Sequence, residues 1–364
     1  MSEVLFFNYR GGKKTVYEGI KDLLKKLPLT KVVGKDDLVA IKVHMGELGN
    51  VTHIRPGIVR EIVELVKAAG GRPFVTDTTT LYPKARWTAM EYLQTAAANG
   101  FTGESMGAPI IIADGLLGYD GTKRPVSRRV EGCDLGEVDV AQSIDEADAM
   151  VVVSHAKGHI IAGFGGAIKN VAMGCLTKRG KAALHRADLA EINAEECSGC
   201  GKCVEICAYG AMRIEDGKAR RDIEKCMNCN DCYFNCPNNA MEIPDGAGER
   251  LQIYLAHGTA AALEKFGGKV CFINVVQDVT PLCDCAAHAG NPVVADVGIL
   301  ASMDPVAIDK ASLDLIDCAE LVPGVLAEDG PDRLGRINHT DCTIQMRVAK
   351  KLGIGELKYQ ITEI

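Results

Sequence analysis

Apolar residues fall into two rhythms along this chain. Continuous runs at residues 4–7, 38–44, 72–76, 109–113 and the valine-rich 149–155 predict short strands buried on both faces. Residues 57–69 and 85–98 place their apolar side chains at helical period instead. The alternation resumes after a gap. A helix is predicted over 249–266, strands over 269–275 and 292–297, and a helix opening at Asp304-Pro305, with Asp as N-cap and Pro at its first position. Alternating β and α elements with continuous apolar strands predict an α/β fold: a mainly parallel sheet with helices on both faces.

The gap is filled by cysteine. Eight of the chain's 15 cysteines stand in two runs, Cys197-x-x-Cys200-x-x-Cys203-x-x-x-Cys207 and Cys226-x-x-Cys229-x-x-Cys232-x-x-x-Cys236-Pro237. The segment repeats itself 29 residues on: Ala211 matches Ala240, Met212 matches Met241, Ile214 matches Ile243, and Asp216-Gly217 matches Asp245-Gly246. Three thiolates on a tight loop can wrap three corners of an iron–sulfur cube, and the fourth corner needs a thiolate from elsewhere. In bacterial ferredoxins, which this stretch resembles, the fourth cysteine of each run ligates the other cluster. One 4Fe-4S cluster is therefore expected on Cys197, Cys200, Cys203 and Cys236, and a second on Cys226, Cys229, Cys232 and Cys207. Ala208 departs from the resemblance, standing where such motifs have the proline that Pro237 keeps. Paired zinc sites are the plainer alternative, but zinc favours two separated C-x2-C pairs. The predicted organisation is an α/β domain over 1–187 and 247–364, interrupted by a small ferredoxin-like α+β insertion over 188–246.

Composition sharpens this in two respects. A net charge of −7 argues against nucleic acid or an acidic membrane surface as partner. The amino terminus lacks the basic and apolar regions of a signal peptide, and no charge-free apolar run approaches membrane-spanning length. A cytoplasmic location follows as the expectation, and there cysteines serve as metal ligands rather than disulfides. Exposed clusters are oxygen-sensitive, so an anaerobic host is expected.

The predicted strand ends hold the remaining chemistry, where ligands bind in such folds. Lys42-Val-His44 closes one strand and Asp77-Thr-Thr-Thr80 another. Ser154-His155-Ala-Lys157-Gly158-His159 closes a third and runs into Gly163-Phe-Gly165-Gly166-Ala-Ile-Lys169-Asn170. The glycine spacing fits neither a dinucleotide fingerprint nor a Walker loop. Its backbone N–H groups could meet a carboxylate or phosphate at a helix start, and a tight turn explains the glycines equally well. Cys283-x-Cys285 suits a further metal or a redox dithiol, and buried free cysteine is the plainer reading.

Lys42-Val-His44, the stretch from His155 to Asn170, Cys283-Asp-Cys285, and Asp296 to Asp309 together resemble the family called domain of unknown function 362, in its ferredoxin-containing form. The resemblance spans nearly the whole chain and implies an iron–sulfur protein of unassigned activity. Thr52-His53-Ile54-Arg55-Pro56 and the stretch from His159 to Lys169 are also similar to nickel-pincer lactate racemases. Carried over, that similarity makes His159 an acid/base or substrate group, Lys169 a covalent or anion-binding lysine, Arg55 a substrate or cofactor contact, and His185 a metal ligand. Asp77-Thr-Thr-Thr80 stands where the racemases carry a second catalytic histidine, and proton exchange at carbon needs no electrons. The similarity therefore implies a shared fold rather than a shared reaction.

Candidate catalytic residues are thus His159, Lys169, His155, Lys42 and His44. Gly163, Gly165, Gly166 and Arg55 are candidates for binding a small-molecule cofactor, and Cys283, Cys285 and His185 for a further metal. The expected function is electron transfer from two 4Fe-4S clusters to a redox site in the α/β domain, as in an oxidoreductase. One alternative is a ferredoxin-type carrier whose α/β domain only docks a partner enzyme; another is a racemase-like metal enzyme. A redox partner protein or a small molecule would be the counterpart. The oligomeric state is not written in the sequence.

Overall fold

In the computed structural model, which describes residues 1–325 and 330–364, eight strands form one sheet. In chain order they are β1 (Ser2–Asn8), β2 (Leu38–Val43), β3 (Arg72–Asp77), β4 (Ile110–Ile112), β5 (Ala149–His155), β6 (Val270–Val276), β7 (Gly298–Ser302) and β8 (Tyr359–Glu363). Their spatial order is β8-β1-β7-β6-β5-β2-β3-β4. Strands β6, β5, β2, β3 and β4 are mutually parallel, β8 runs parallel to β1, and β7 lies antiparallel to both its neighbours. The expected α/β class with a mainly parallel sheet is met, β7 being the antiparallel strand.

Both faces are covered, which explains the continuous apolar runs. On β5, Met150 and Val152 join one core while Ala149, Val151 and Val153 join the other. Helices α1 (Val16–Lys26), α2 (Pro56–Ala68) and α3 (Ala89–Ala98) supply buried side chains to the second core. Helices α4 (Ala167–Gly174), α5 (Lys178–His185), α6 (Ala247–Glu264), α7 (Pro305–Cys318) and α8 (Ile344–Lys351) supply the first. None of the described helices is long and apolar enough to cross a membrane.

The strand expected over 292–297 is not one. Val293, Val294 and Val297 are buried, but the segment makes only an isolated bridge between Val294 and Leu321. Pro292 can donate no ladder hydrogen bond, and pairing starts one residue later, at Gly298. There a Cβ would lie 2.1 Å from the Phe7 carbonyl oxygen, so only glycine lets β7 close against β1. The helix expected over 85–98 begins at Ala89, after a capping box between Thr88 and Glu91.

Residues 188–246 leave the sheet. They form two short antiparallel pairs, Glu191–Ile192 with Met241–Glu242 and the hairpin of Met212–Glu215 with Lys218–Arg221, around a small core of their own that includes Ala190, Met212, Ala219, Ala240 and Met241. Chain resumes on α6, which packs on α4 and α8.

The glycine-rich turn before α4 is fixed by a carboxylate from α7. Asp309 accepts hydrogen bonds from the N–H groups of Ala167 (2.6 Å) and Ile168 (2.9 Å), and from the Asn274 side-chain amide (2.8 Å). A Cβ on Gly166 would sit 2.2 Å from Asp309 Oδ1, so glycine is required for that approach. Removing the carboxylate with Asp309→Ala leaves these buried donors unpaired and should lower stability by about 2–3 kcal/mol. Asp309→Asn keeps one acceptor and should lose less; equal loss in both variants by denaturant unfolding would assign the cost to packing instead.

Candidate functional site

The carboxyl ends of β2, β3, β5 and β6 converge on one polar cluster. Lys42, 1% exposed, reaches Asp77 Oδ1 at 3.1 Å and also donates to the Asn170 side chain of α4. The Tyr92 hydroxyl of α3 donates to the other Asp77 oxygen. Burial pushes the Asp77 carboxyl up, but Lys42, His44, Tyr92 and Arg86 outweigh it and hold the group below its usual range. Gly174 makes room for this pair, since a Cβ there would meet Lys42 Cε at 1.9 Å.

Beyond the pair, two loops grip each other. Glu47 N–H donates to the Asp284 carbonyl at 2.9 Å, and the Asn50 amide to the Ala286 carbonyl at 3.0 Å. This brings His44 Nε2 to 3.3 Å from Cys285 Sγ and 2.9 Å from Arg86 Nη1. Gly46 N–H donates to His44 Nδ1 (3.0 Å), and the Arg86 guanidinium, which can only donate, faces Nε2. Arg86 is itself buried, bonded to Glu47 Oε2 (3.1 Å) and the Tyr82 hydroxyl (2.9 Å). A hydrogen bond from Cys283, with His44 and Arg86 alongside, holds the Cys285 thiol well below its ordinary value. Cys283 moves the opposite way, raised by that same bond and by burial.

His155 lies on the far side of the same loop. Its Nδ1 is 3.0 Å from both Asp284 oxygens and its Nε2 is 2.7 Å from the Gln277 carbonyl. Each ring nitrogen thus faces an oxygen. Lys157 Nζ adds a contact of 3.6 Å to Asp284. Burial pushes Asp284 up, yet His155 and Lys157 hold it well below the usual carboxylate range.

The other candidates sit around this centre. His159 Nδ1 accepts from Ile161 and Ala162 N–H (3.3 and 3.0 Å), and burial, then Lys169, holds its ring neutral. Lys169 is half-buried and packs beside Gly165. His185 is taken by Asp188 (3.0 Å), and Arg55, at the rim, by Asp278 (3.0 Å). Gly163 adopts φ +70°, and the helix N–H groups after Gly166 belong to Asp309. Among the described residues no three His, Cys, Asp or Glu side chains converge as the shell of a single metal ion.

Sequence reasoning missed Arg86, Tyr82 and Glu47. All three lie in irregular segments, where no periodicity marks a buried polar residue. Lys181 was missed too; it donates to Thr78 Oγ1 (2.6 Å), the Thr79 carbonyl (2.7 Å) and the Leu176 carbonyl (2.8 Å), fixing the loop that carries Tyr82 and Arg86.

In the cysteine-rich segment, Cys197, Cys200, Cys203 and Cys236 line one cavity, bringing the last cysteine of the second run to the first three of the first. The two runs fold alike. Gly199 and Gly201 have positive φ, as do Asn228 and Asn230, their counterparts 29 residues on. Cys207 Sγ accepts from Ala211 N–H and Cys236 Sγ from Ala240 N–H, each at 3.3 Å. Ala219 N–H donates to Cys197 Sγ (3.3 Å), and Arg221 lies 3.6 Å from Cys232 Sγ. The segment docks through Tyr209, whose hydroxyl donates to the Leu81 carbonyl (2.7 Å) and whose ring meets Trp87 edge-on at 5.5 Å. Asn228 donates to the Ala182 carbonyl of α5 at 2.8 Å.

A family profile described as "Domain of unknown function (DUF362)" matches residues 39–314. No curated protein matches the chain. Among solved structures, the lactate racemase apoprotein from Thermoanaerobacterium thermosaccharolyticum is similar at 15% identity and a TM-score of 0.38, covering 76% of this chain and 51% of that one. A Thermotoga maritima protein is similar at 11% identity and a TM-score of 0.44, covering 85% of this chain and 60% of its own. The chain thus spans about half to three-fifths of the length of these structures.

Breaking the Lys42–Asp77 pair should be costly. Asp77→Ala strands a buried ammonium, with an expected loss of about 3–5 kcal/mol. Adding Lys42→Met should recover most of it, and a double variant no more stable than Asp77→Ala in denaturant unfolding would contradict this account.

Proposed function

Because the chain belongs to the DUF362 family, whose description assigns no activity, we propose its function from the site: an iron–sulfur electron-transfer protein whose residues 188–246 hold two 4Fe-4S clusters and whose α/β domain carries the redox site they serve. The observation that carries this reading is the cavity lined by Cys197, Cys200, Cys203 and Cys236, since the crossed assignment of a dicluster ferredoxin requires that grouping. Cys226, Cys229, Cys232 and Cys207 would hold the second cluster.

The donor set fits such a group. Thiolate is the ligand iron–sulfur clusters use, and backbone N–H groups already point at Cys197, Cys207 and Cys236. Donors to sulfur stabilise negative charge and raise the potential of a cluster. Bound clusters supply single electrons at low potential. Arg221 beside Cys232 and the amides of Ala211 and Ala240 set the local field. Tyr209, two residues past Cys207, fixes the distance from the second group of cysteines to the α/β domain. Cys200 is exposed, so the first group faces outward, where a partner protein would deliver or collect electrons. We read the α/β site as the place where a small molecule is reduced or oxidised. Arg86, Lys157 and Lys169 give it a positive lining suited to an anion.

Anaerobically purified protein should contain about eight irons and as much acid-labile sulfide per chain, with EPR of the reduced form showing two interacting S = ½ centres. Cys236→Ser should remove the first cluster and leave about four irons. Stoichiometric zinc in place of iron and sulfide would sink the reading, and loss of the second cluster from that variant would overturn the crossed assignment.

A further inference from the structure

We propose that Cys283 and Cys285 form a dithiol–disulfide centre that takes up electrons in pairs, placed at the point where the cysteine-rich segment docks. Its source of electrons rests on the cluster reading above; its thiol chemistry does not.

The geometry starts from Asp284. That side chain is 1% exposed and is turned inward by His155 and Lys157. Asp284 and Cys285 form a tight turn, closed by the Ala286 N–H donating to the Cys283 carbonyl at 3.0 Å, so the backbone folds Cys283 and Cys285 towards each other at two residues' separation. Both thiols are half-buried. The loop is held rigid from outside by the backbone bond from Glu47 and the side-chain bond from Asn50. A disulfide across one intervening residue is stiff, and strained disulfides are the readily reduced, catalytic kind.

The surroundings favour a thiolate over a metal ion. Cys285 Sγ faces His44 Nε2 at 3.3 Å, and the Arg86 guanidinium stands 2.9 Å from that same nitrogen. A fixed guanidinium in van der Waals reach of the third ligand would repel a divalent cation, while it stabilises a sulfur anion. Cys283, half-buried, takes its proton from solvent.

The docking contact reaches the same place. Tyr209 touches Leu81 and Trp87, and the residues between them include Tyr82 and Arg86. Single-electron carriers and two-electron chemistry need an intermediary, and a dithiol is one. The balance is complete: the S–S bond breaks, two electrons and one proton enter, and Cys285 is left as thiolate with Cys283 as thiol. The two electrons come one from each reduced cluster.

The experiment uses the intact holoprotein. It is treated anaerobically with a mild disulfide oxidant, then split. One portion is alkylated and digested; the other is reduced with a limiting amount of dithionite and followed by EPR. The peptide carrying Cys283 and Cys285 should be two hydrogens lighter and unalkylated. In the second portion two electrons per chain should leave the clusters and the same peptide should become alkylatable. Cys285→Ser should keep full iron and keep its clusters reduced. Separate alkylation of both thiols after oxidation, or a stoichiometric metal released from them, would overturn the centre. A disulfide that forms while reduced clusters keep their electrons would overturn the coupling and leave the cluster reading standing. Protein without iron whose disulfide still forms and opens with dithiothreitol would support the centre and refute the clusters as its source.

Discussion

A buried ammonium–carboxylate pair organises this molecule. Lys42 and Asp77 end neighbouring parallel strands with almost no exposure, and two charges in such a place demand partners from every side. Those partners come from both layers of helices. Asn170 belongs to α4 on one face, and Tyr92 to α3 on the other. Asn170 then donates to the Val153 carbonyl and the Ser154 hydroxyl at the end of β5. Three strand ends and two helices therefore share one charge pair, and none can move without unpairing something. Only after that fixation do the next residues of β2 and β5, leading to His44 and His155, reach the loop of Cys283 and Cys285 from opposite sides.

The cysteine-rich segment obeys a different constraint. It buries little apolar surface, and its shape comes from repeated backbone geometry rather than from a large core. Left-handed residues recur at Gly199 and Gly201 and again at Asn228 and Asn230. Glycine and asparagine are the residues that tolerate that conformation. So the duplicated loop is built with different residues of one conformational class. Asn230 is also used twice: its amide donates to the Asp188 carbonyl and its side-chain oxygen accepts from Ala190 N–H, tying the second loop to the chain entering the segment.

Much of this was legible from residues alone where a period or a spacing carries the signal. Strand β5 runs over Ala149–His155, as expected, because an unbroken Val run buried on both faces has few other homes. The resemblance to bacterial ferredoxins implied the grouping of Cys236 with the first run, and those four cysteines line one cavity. Residues 292–297 misled because buried valines satisfy a strand pattern without any ladder, and the proline that forbids pairing stands at the start of the run. Helices α1 and α8 and strand β8 were not anticipated: α8 carries a polar face rich in Lys and Arg, and β8 is a half-exposed edge. Arg86, Tyr82, Glu47 and Lys181 were illegible for a sharper reason. Each is a charged or polar residue drawn inward by polar partners, most of them for Arg86, Glu47 and Lys181 far off in sequence, and sequence patterning reports burial only for apolar side chains.

The glycine-rich turn shows how a motif can be right in its physics and different in its use. Its backbone N–H groups do meet a carboxylate at a helix start, and that carboxylate is Asp309 of the same chain. Burial pushes the Asp309 carboxyl up to about 6, against the pull of the donors it accepts from. With the helix terminus already occupied, this turn offers its first N–H groups to no bound anion. On the function proposed above, recognition in the α/β domain would fall to side chains instead: Lys157 and Lys169 near the turn, and His44, Arg86 and Cys285, which lie together. A site that reads its ligand through side-chain cations and sulfur is sensitive to protonation and redox state, whereas one built on backbone amides would not be. That property suits a protein whose other notable feature is a pair of four-cysteine sets.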